Sequence, residues 1–277
     1  MNDKQIRIFY TNIRSLSKHY NELLLMLQAM SVQGLEYDIL ALSETWIETE
    51  KLKLFPIKNY TAHISARDDG RRSGGVILYV KNDLKIVKSE KIKVLGANVM
   101  KIKIDYSSNQ SSLGENTELS LYLVYKDCTF SKLRFVESLE QLIQNDSDVE
   151  KDAIFLGDMN INLLDDNESA DYLNMFMAHG CLSLQNSPTR DTSCLDHVLS
   201  NSSTLTVNCK VMDKWITDHA IIDIEIKLPN TYWNNEEKQI QIVNEKKFRT
   251  ELLKVNWDWV EEIEENSQTS VNKDFEK

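Results

Sequence analysis

Short apolar runs recur along this chain, and polar residues follow several of them directly. Runs of four to eight apolar or alternating residues predict β-strands that are buried on one or both faces. Eight segments have this character: QIRIFYTNI from residue 5, residues 39–42, GGVILYVKND from residue 74, VMKIKID from residue 99, LSLYLVY from residue 119, AIFLG from residue 153, CLDHVLSN from residue 194 and AIIDIEIKLP from residue 220.

Three other segments carry apolar residues at helical spacing. They are residues 17–31, SKLRFVESLEQLIQ from residue 131 and SADYLNMFMAHG, which ends at Gly180. In the second, Ser131 is a candidate N-cap and the apolar stripe comprises Leu133, Val136, Leu139, Leu142 and Ile143. Strands that alternate with helices indicate an α/β domain, which we place at residues 1–229. Residues 230–277 are interpreted as an acidic, partly helical appendage.

The segment AIFLGDMNIN raises the question of why a buried strand should end in a glycine followed by two polar side chains. In an extended chain, residues i and i+2 point the same way, so Asp158 and Asn160 can converge at the edge of a sheet. A turn is the structural alternative, because glycine, aspartate and asparagine are ordinary turn residues. This segment alone does not decide between the two.

Polar residues at or near the ends of the other predicted strands repeat this arrangement. The full set is Asn12, Glu44, Tyr125, Asp158, Asn160, Asp196, Asp218 and His219. Strands of one sheet can bring such residues together at one rim. A rim rich in carboxylates suits Mg²⁺, which takes oxygen ligands, and it suits phosphoryl transfer, which needs charge stabilisation and positioned water.

Each of these residues also has a structural explanation. Asn12 could cap a strand, Glu44 could stand at the solvated start of a helix, and the hydroxyl of Tyr125 could face water. The dipeptides at 196–197 and 218–219 could be turns. Without a shared site, a separate structural explanation is needed for every one of these residues. One shared site explains all of them together and is therefore the simpler interpretation.

Composition narrows the classes of protein to which the chain can belong. It has 277 residues, of which 42% are hydrophobic and 27% are charged, so it can bury a substantial core. The net charge of −11 argues against binding nucleic acid through bulk positive charge, although a bound cation reverses the local field. The chain contains no run of 18 apolar residues, so we expect no membrane span and no membrane partner. Residues 1–5 lack the apolar core of a signal peptide. The four scattered cysteines fit reduced thiols, so we expect a protein of the nucleus or cytoplasm that is not secreted.

The order of six motifs resembles that of the endonuclease/exonuclease/phosphatase superfamily. The motifs are TNIRSL, LSETW, SGGVILYV, FLGDMNINLL, PTRDTSCLDHVLSN and ITDHAIIDIEI. Over residues 5–228 they resemble in particular the apurinic-type endonuclease domain of non-LTR (LINE-like) retrotransposons. The resemblance implies a four-layer α/β/β/α sandwich with the active site at one rim of its two sheets.

The resemblance also implies a metal site. Glu44 would be the main ligand of Mg²⁺, with Mn²⁺ as an alternative ion. Asn12 would support the metal site, and Asp218 would lie near the metal. Repair relatives carry a carboxylate two residues after the asparagine, where this chain has Arg14, so a metal contact from that position is excluded.

Catalytic roles follow from the same resemblance. Asp158 would orient or deprotonate the attacking water, and Asn160 would hold the scissile phosphate or the nucleophile. His219 would donate to a phosphate oxygen, and Asp196 would hold His219 in orientation. Tyr125 would contact the phosphate, although Lys-Asp-Cys follows it here where many relatives have an Arg-Pro-Pro-like turn.

Further residues are expected to contact the substrate. Ser193, three residues before Asp196, matches the S-x-L-D motif of the family and is expected to shape the pocket. The basic loop with Arg67, Arg71 and Arg72 is a candidate contact to a nucleic-acid backbone, and its structural alternative is a solvated loop.

The leading hypothesis is an Mg²⁺-dependent DNA endonuclease that nicks one strand by hydrolysis and leaves a 3′-hydroxyl. Residues 230–277 resemble the segment that joins such an endonuclease to a reverse transcriptase, so a reverse transcriptase domain missing from this chain is a candidate partner beside DNA. Two alternatives remain: a phosphatase or phosphodiesterase of the same superfamily, and an inactive relict that binds a partner or nucleic acid. Ile161-Asn162 after the G-D-x-N motif disfavours inositol-phosphate phosphatases, in which Tyr-Arg usually follows.

Overall fold

The structure is a computed structural model that describes residues 5–66, 73–107 and 117–228. Within these ranges the strands and α-helices are, in chain order, β1 (Gln5–Asn12), α1 (Leu16–Val32), β2 (Ile39–Ser43), β3 (Tyr60–Ser65), β4 (Val76–Lys81), β5 (Lys85–Val94), β6 (Ala97–Asp105), β7 (Glu118–Lys126), α2 (Lys132–Asn145), β8 (Asp152–Asp158), α3 (Asp166–Ala178), β9 (Leu182–Ser183), β10 (Asp196–Ser200), β11 (Thr206–Met212) and β12 (Ile221–Lys227). Short 3₁₀ segments span Thr49–Leu54 and Ser147–Glu150. None of the helices in the described ranges is long and apolar enough to cross a lipid bilayer.

The strands form two six-stranded sheets. The first sheet has the order β11-β12-β1-β2-β4-β3, and the second has the order β5-β6-β7-β8-β10-β9. α1 packs on the outer face of the first sheet, α2 and α3 pack on the outer face of the second, and the two inner faces bury a shared apolar core. The protein is therefore a four-layer α/β/β/α sandwich, as the motifs implied.

Alternation along the central strands decides which side chains reach the space between the sheets. In β1, Tyr10 lies in the shared core, whereas Phe9 packs beneath α1. In β8, Leu156 lies in the shared core. Asn12 and Asp158 follow Tyr10 and Leu156 by two residues, so both polar side chains fall on the inner faces of their sheets.

All eight predicted strands are present, and the four strands that the pattern did not predict occupy the four edges of the sheets. These are β3 and β11 in the first sheet and β5 and β9 in the second. An edge strand has one strand neighbour and less cover, so it needs fewer apolar residues. The sequence of β5, KIVKSEKIKV, leaves most of its side chains exposed or half-buried, and β9 has only two residues.

The three predicted helices are present, with one error in a predicted apolar stripe. Ser131 caps α2, since its side chain accepts from the backbone N–H of Arg134 at 3.4 Å. Leu133 was expected in the stripe but is 63% exposed, and Phe135 is fully buried instead. At 100° per residue, Phe135 shares a face with Leu139, whereas Leu133 lies to the side of that face in the first turn.

Two groups of predictions lie outside the described residues. The first comprises the boundary at residue 229 and the acidic appendage at residues 230–277. The second comprises the basic loop with Arg67, Arg71 and Arg72. Both remain predictions.

Gly157 explains why the buried strand β8 carries a glycine immediately before its last residue. Its φ is +144°, which other residues rarely adopt. A Cβ at this position would lie 1.8 Å from the carbonyl oxygen of Val124 in the parallel neighbour β7. Glycine therefore allows the two backbones to approach, and the approach places Asp158 opposite Tyr125.

We expect Gly157→Ala to lower the free energy of unfolding by more than about 3 kcal/mol, because the added methyl group overlaps a backbone carbonyl. Gly34→Ala is the matched control: Gly34 has φ +77°, but a Cβ there meets nothing within 4 Å. Its expected loss is about 1–2 kcal/mol from the backbone conformation alone. Urea unfolding measures both variants, and equal losses would show that the contact with Val124 does not constrain position 157.

Candidate active site

Asn12, at the end of β1, joins the two sheets at one rim. Its buried side-chain amide donates one hydrogen bond to Oε1 of Glu44 and one to Oδ2 of Asp158, each 2.8 Å long. Glu44 follows β2 of the first sheet, whereas Asp158 is the last residue of β8 in the second. One amide therefore holds two carboxylates from different sheets close together.

Asp158 is buried and accepts a hydrogen bond on each oxygen. Oδ2 accepts from Asn12, and Oδ1 accepts from the backbone N–H of Asn160 at 2.9 Å. Burial and the negative charge of Asp196 raise the pKa of Asp158 to about 7, against the opposing effects of His219 and of these hydrogen bonds. A cation close to this carboxylate would favour its charged form.

Asn160 forms a turn in GDMNIN directly after Asp158. Asn160 lies beyond the end of β8 and has φ +46°, so the extended-chain argument does not apply to it. The hydrogen bond from its backbone N–H to the Asp158 side chain is that of an Asx-turn. Its side-chain amide donates to the carbonyl of Lys126 at 2.7 Å, which fixes the side chain next to β7.

Asp196 and His219 form a buried pair. Nδ1 of His219 lies 2.8 Å from Oδ2 of Asp196, and the hydroxyl of Tyr10 donates to Oδ1 of Asp196 at 2.6 Å. Burial opposes the charge on both groups and is the largest single effect on each. The hydrogen bond and attraction between them, together with neighbouring groups, outweigh burial, so the pKa of His219 is raised and the pKa of Asp196 is lowered, which favours an imidazolium–carboxylate pair.

The rim contains the starts of strands as well as their ends. Asp196 begins β10, which runs antiparallel to β8, and it pairs there with Asp158. His219 precedes β12, which runs antiparallel to β1. An antiparallel neighbour brings its beginning to the rim, so residues that precede a strand and residues that follow one meet there.

Asp158, Asp196 and His219 form a buried cluster of potential metal ligands. One ligand atom from each residue lies within 4.8 Å of the others. Nε2 of His219 is buried and has no hydrogen-bond partner among the described residues. These two carboxylates and nearby Glu44 offer the oxygen ligands that Mg²⁺ and Mn²⁺ prefer, so the residues fit a divalent cation.

The backbone around Glu44 is held in an uncommon conformation. Glu44 has φ +52°, Trp46 has φ +56° and neighbouring Arg14 has φ +44°. The N–H of Ser15 donates to the carbonyl of Glu44 at 2.8 Å, and Nε1 of Trp46 donates to Oε2 of Glu44 at 3.1 Å. Such conformations cost about 1–3 kcal/mol each and cluster at functional sites.

Asp218 lies outside the buried cluster of three ligands. Its Oδ1 is 2.9 Å from Nη1 of Arg14, and its Oδ2 accepts from Nε of Arg190 at 2.8 Å. Burial acts to raise the pKa of Asp218, but the charges of Arg14 and Arg190 outweigh burial and lower it. Asp218 is thus a charged carboxylate between two guanidinium groups.

Tyr125 and Ser193 lie at the same rim and differ in how they are held. Tyr125 pairs with Asp158 across β7 and β8, and burial together with the carboxylates of Glu44 and Asp158 raises the pKa of its phenol well above the usual value. Its hydroxyl therefore stays protonated. Ser193 closes a tight hairpin with Arg190, in which each backbone N–H donates to the other carbonyl, at 2.8 and 3.0 Å.

His197 lies outside the site, as its apolar setting in LDHVL predicts. It is fully buried, with Nδ1 3.0 Å from the hydroxyl of Tyr172 and Nε2 2.9 Å from the carbonyl oxygen of Ile161. Burial lowers its pKa to about 4. His197 is a packing residue between β10 and α3.

A family model described as the Endonuclease/Exonuclease/phosphatase family matches residues 10–219. The chain belongs to this family. Its members are hydrolytic phosphodiesterases and nucleases that generally use a divalent metal, which agrees with the ligands found at the rim. None of the curated proteins matches this chain in sequence.

Several solved structures share this fold. The endonuclease domain of TRAS1, a telomere-specific non-LTR retrotransposon, has a TM-score of 0.61 and 14% identity, covering 82% of this chain and 100% of that one. D. rerio TDP2 complexed with a single strand DNA product has a TM-score of 0.57 and 16% identity, covering 81% and 99%. The human Nocturnin catalytic domain has a TM-score of 0.59 and 15% identity, covering 80% and 93%. At these identities the likeness is one of fold.

Three residues of this candidate site were not predicted from the sequence. Tyr10 stands in an apolar run, and its one signal is its position two residues before Asn12 on the same face of β1. Thr189 is buried, and its Oγ1 accepts the backbone N–H of Asp196 at 3.1 Å. Thr189 and Arg190 lie inside the PTRDTSCLD motif, but their spacing indicates no role.

We expect Tyr10→Phe to lower the free energy of unfolding by about 1–3 kcal/mol, because it removes a donor from the buried charge of Asp196 and keeps the ring. Tyr79→Phe is the matched control: Tyr79 is also buried, and its hydroxyl donates to the neutral carbonyl of Phe55 at 2.8 Å. Its expected loss is about 1 kcal/mol. Guanidinium unfolding compares the two, and a Tyr10→Phe variant that loses no more than the control would contradict a charge-assisted bond.

Proposed function

We propose that this chain is an Mg²⁺-dependent DNA endonuclease that nicks one strand by hydrolysis and leaves a 3′-hydroxyl. The observation that carries the proposal is the bridge from Asn12 to both Glu44 and Asp158. The bridge places a candidate metal ligand and a candidate base on either side of one amide. Asp196 and His219 lie at the same rim.

Glu44, supported by Asn12, is the proposed metal ligand, with Mg²⁺ or Mn²⁺ as the ion. When bound, such a cation supplies positive charge that stabilises the phosphate and the leaving oxygen. Asp158 orients or deprotonates the attacking water in this proposal. Asn160, anchored to the carbonyl of Lys126, holds the phosphate or the nucleophile.

His219 is the proposed donor to a phosphate oxygen. Asp196 holds Nδ1, and the buried Nε2 has no partner among the described residues, so Nε2 is the atom proposed to donate. The charged form that Asp196 favours would stabilise negative charge on the phosphate. Tyr125, with its proton retained, is the proposed second contact to the phosphate.

Water is a better candidate nucleophile than a protein side chain. The hydroxyl of Ser43 shares a hydrogen bond of 2.9 Å with Tyr10 rather than with a histidine. Cys194 is buried, and burial raises its pKa to about 11, so it is a thiol at neutral pH. In the proposed step, water attacks phosphorus in line and loses a proton on the side of Asp158. The bond from phosphorus to the 3′ oxygen breaks, the 3′ oxygen gains a proton to become a hydroxyl, and the phosphate stays on the 5′ end.

DNA is the proposed substrate because the motifs resemble those of retrotransposon endonucleases. The shared fold of the TRAS1 domain and of DNA-bound TDP2 supports a nucleic acid over a soluble phosphoester. A retrotransposon origin and a reverse transcriptase partner, primed by the 3′-hydroxyl, belong to the same proposal. We place its action in the nucleus or cytoplasm, where thiols stay reduced.

The protein should relax supercoiled plasmid when Mg²⁺ is present. The substitutions Asp158→Asn and His219→Gln should each slow nicking by about 100-fold or more, because each removes a group that acts on the reacting phosphate or water. Asp171→Asn and His179→Gln are matched controls, since Asp171 is an exposed residue of α3 and His179 follows that helix on the outer layer. Gel electrophoresis measures the rate, and circular dichroism verifies folding. Near-normal nicking by a folded site variant would contradict its assigned role.

Assays of the same wild-type and variant proteins distinguish the endonuclease from the two alternative functions. Release of inorganic phosphate from a soluble phosphoester, without nicking, would identify a phosphatase. DNA binding without either reaction would identify an inactive binding module.

The nicked product should carry a 3′-hydroxyl and a 5′-phosphate, because the 3′ oxygen is the proposed leaving group. DNA polymerase should extend the nick, and ligase should reseal it, without prior treatment of the ends. A need for phosphatase or kinase treatment before either reaction would show that a different bond is broken.

A further inference from the structure

Asp218, Arg14 and Arg190 form a compact charged group, here called the arginine clamp. Asp218 Oδ1 lies 2.9 Å from Nη1 of Arg14, and Oδ2 lies 2.8 Å from Nε of Arg190. Two guanidinium groups and one carboxylate have a formal charge of +1. The clamp is therefore a positive patch on a chain whose net charge is −11.

Both arginines keep donors free for a ligand. Their side chains are 35% and 34% exposed. The bonds to Asp218 use one nitrogen of each guanidinium group, and neither side chain has another hydrogen bond to a described residue. A guanidinium group carries five N–H donors in a planar fork, which matches the oxygens of a phosphate group.

The position of each arginine is fixed by the active site. The backbone N–H of Arg14 donates to Oδ1 of Asn12 at 3.2 Å. Arg190 follows Thr189, whose hydroxyl accepts the backbone N–H of Asp196. Asp218 directly precedes His219. Every member of the clamp therefore stands within two residues of a group that holds or forms the site.

We infer that the arginine clamp binds the phosphodiester backbone of a nucleic acid beside the scissile phosphate, and that Asp218 positions the two arginines instead of holding the metal. The first part rests on the proposed function, since the bound backbone is the one that the site cleaves. Asp218 fits this role because a divalent cation at its carboxylate would be repelled by both guanidinium groups. The clamp supplies locally the positive charge that the chain as a whole lacks.

Binding to a short fluorescent DNA duplex, measured by anisotropy in EDTA, tests the arginines without turnover. Arg14→Gln and Arg190→Gln should each weaken binding by about tenfold, because each removes a charge-assisted contact. Each should also reduce the slope of log affinity against log salt by about one. Arg134→Gln is the matched control, because Arg134 lies over the ring of Phe130 on α2 and should bind as the wild type does.

Asp218→Asn tests the positioning role. It should keep DNA affinity within about twofold, since both arginines remain, and it should slow nicking because the arginines are no longer fixed. The Mg²⁺ concentration for half-maximal nicking should stay unchanged. An increase of about tenfold in that concentration would show that Asp218 holds the metal and would overturn this part of the inference.

Separate measurements of DNA binding and nicking distinguish a failure of the clamp inference from a failure of the proposed function. Suppose that the wild type nicks DNA but the arginine variants bind DNA as tightly as the wild type and with the same salt slope. That result would overturn the inference that the clamp binds the backbone and would leave the proposed function standing. A wild type that binds but does not nick, with weakened arginine variants, would support the clamp and reject the endonuclease. No binding by the wild type at low salt would overturn the clamp, and urea unfolding verifies that each variant is folded.

Discussion

The side-chain amide of Asn12 is the contact on which the geometry of the rim depends. It supplies two N–H donors from one nitrogen to two carboxylates that belong to different sheets. An aspartate at this position would add a third negative charge, and an apolar residue would leave both acceptors without this donor. A buried acceptor without a partner costs about 1–3 kcal/mol. The amide therefore couples the packing of the two sheets to the distance between Glu44 and Asp158.

Charge at the rim is divided between a buried zone and a half-buried zone. The buried zone holds Asp158, Asp196 and His219, where imidazolium and hydroxyl donors compensate the carboxylates. The half-buried zone holds Arg14 and Arg190, bound to Asp218. Acidic residues are needed where a cation binds, and basic residues are needed where a polyanion approaches. A net charge of −11 is thus compatible with a nucleic-acid substrate when the positive groups stand at the rim.

The sequence allowed the centre of the fold to be predicted but not its edges. Central strands are covered on both faces, so their apolar runs are long enough to recognise. The edge strand β5 carries lysines on its exposed positions and resembles a loop in composition. Leu133 shows the same limit for helices, because spacing alone does not define the centre of the buried face.

The candidate active site could be predicted in part, because some of its residues interrupt apolar runs. Asn12 and Asp158 are polar residues that end apolar strands, and this contrast is visible in the sequence. Tyr10 is not visible in this way, because a tyrosine in an apolar run has the pattern of a core residue. Its partner Asp196 is 186 positions away, and only the packing of the two sheets brings them together. Arg190 depends likewise on a hairpin that has no periodic pattern.

The pairing of β1 with β12 has a consequence for when activity can arise. Gln5 pairs with Lys227, so β1 lies between a neighbour translated soon after it and one translated at the end of the described domain. A nascent chain can pair β1 with β2 early, but it cannot add β12 until almost the whole domain has left the ribosome. Contacts between such distant segments also form slowly, because a long loop must close first. His219 precedes β12 and β1 carries Asn12, so the candidate site is incomplete until β12 has left the ribosome and paired with β1.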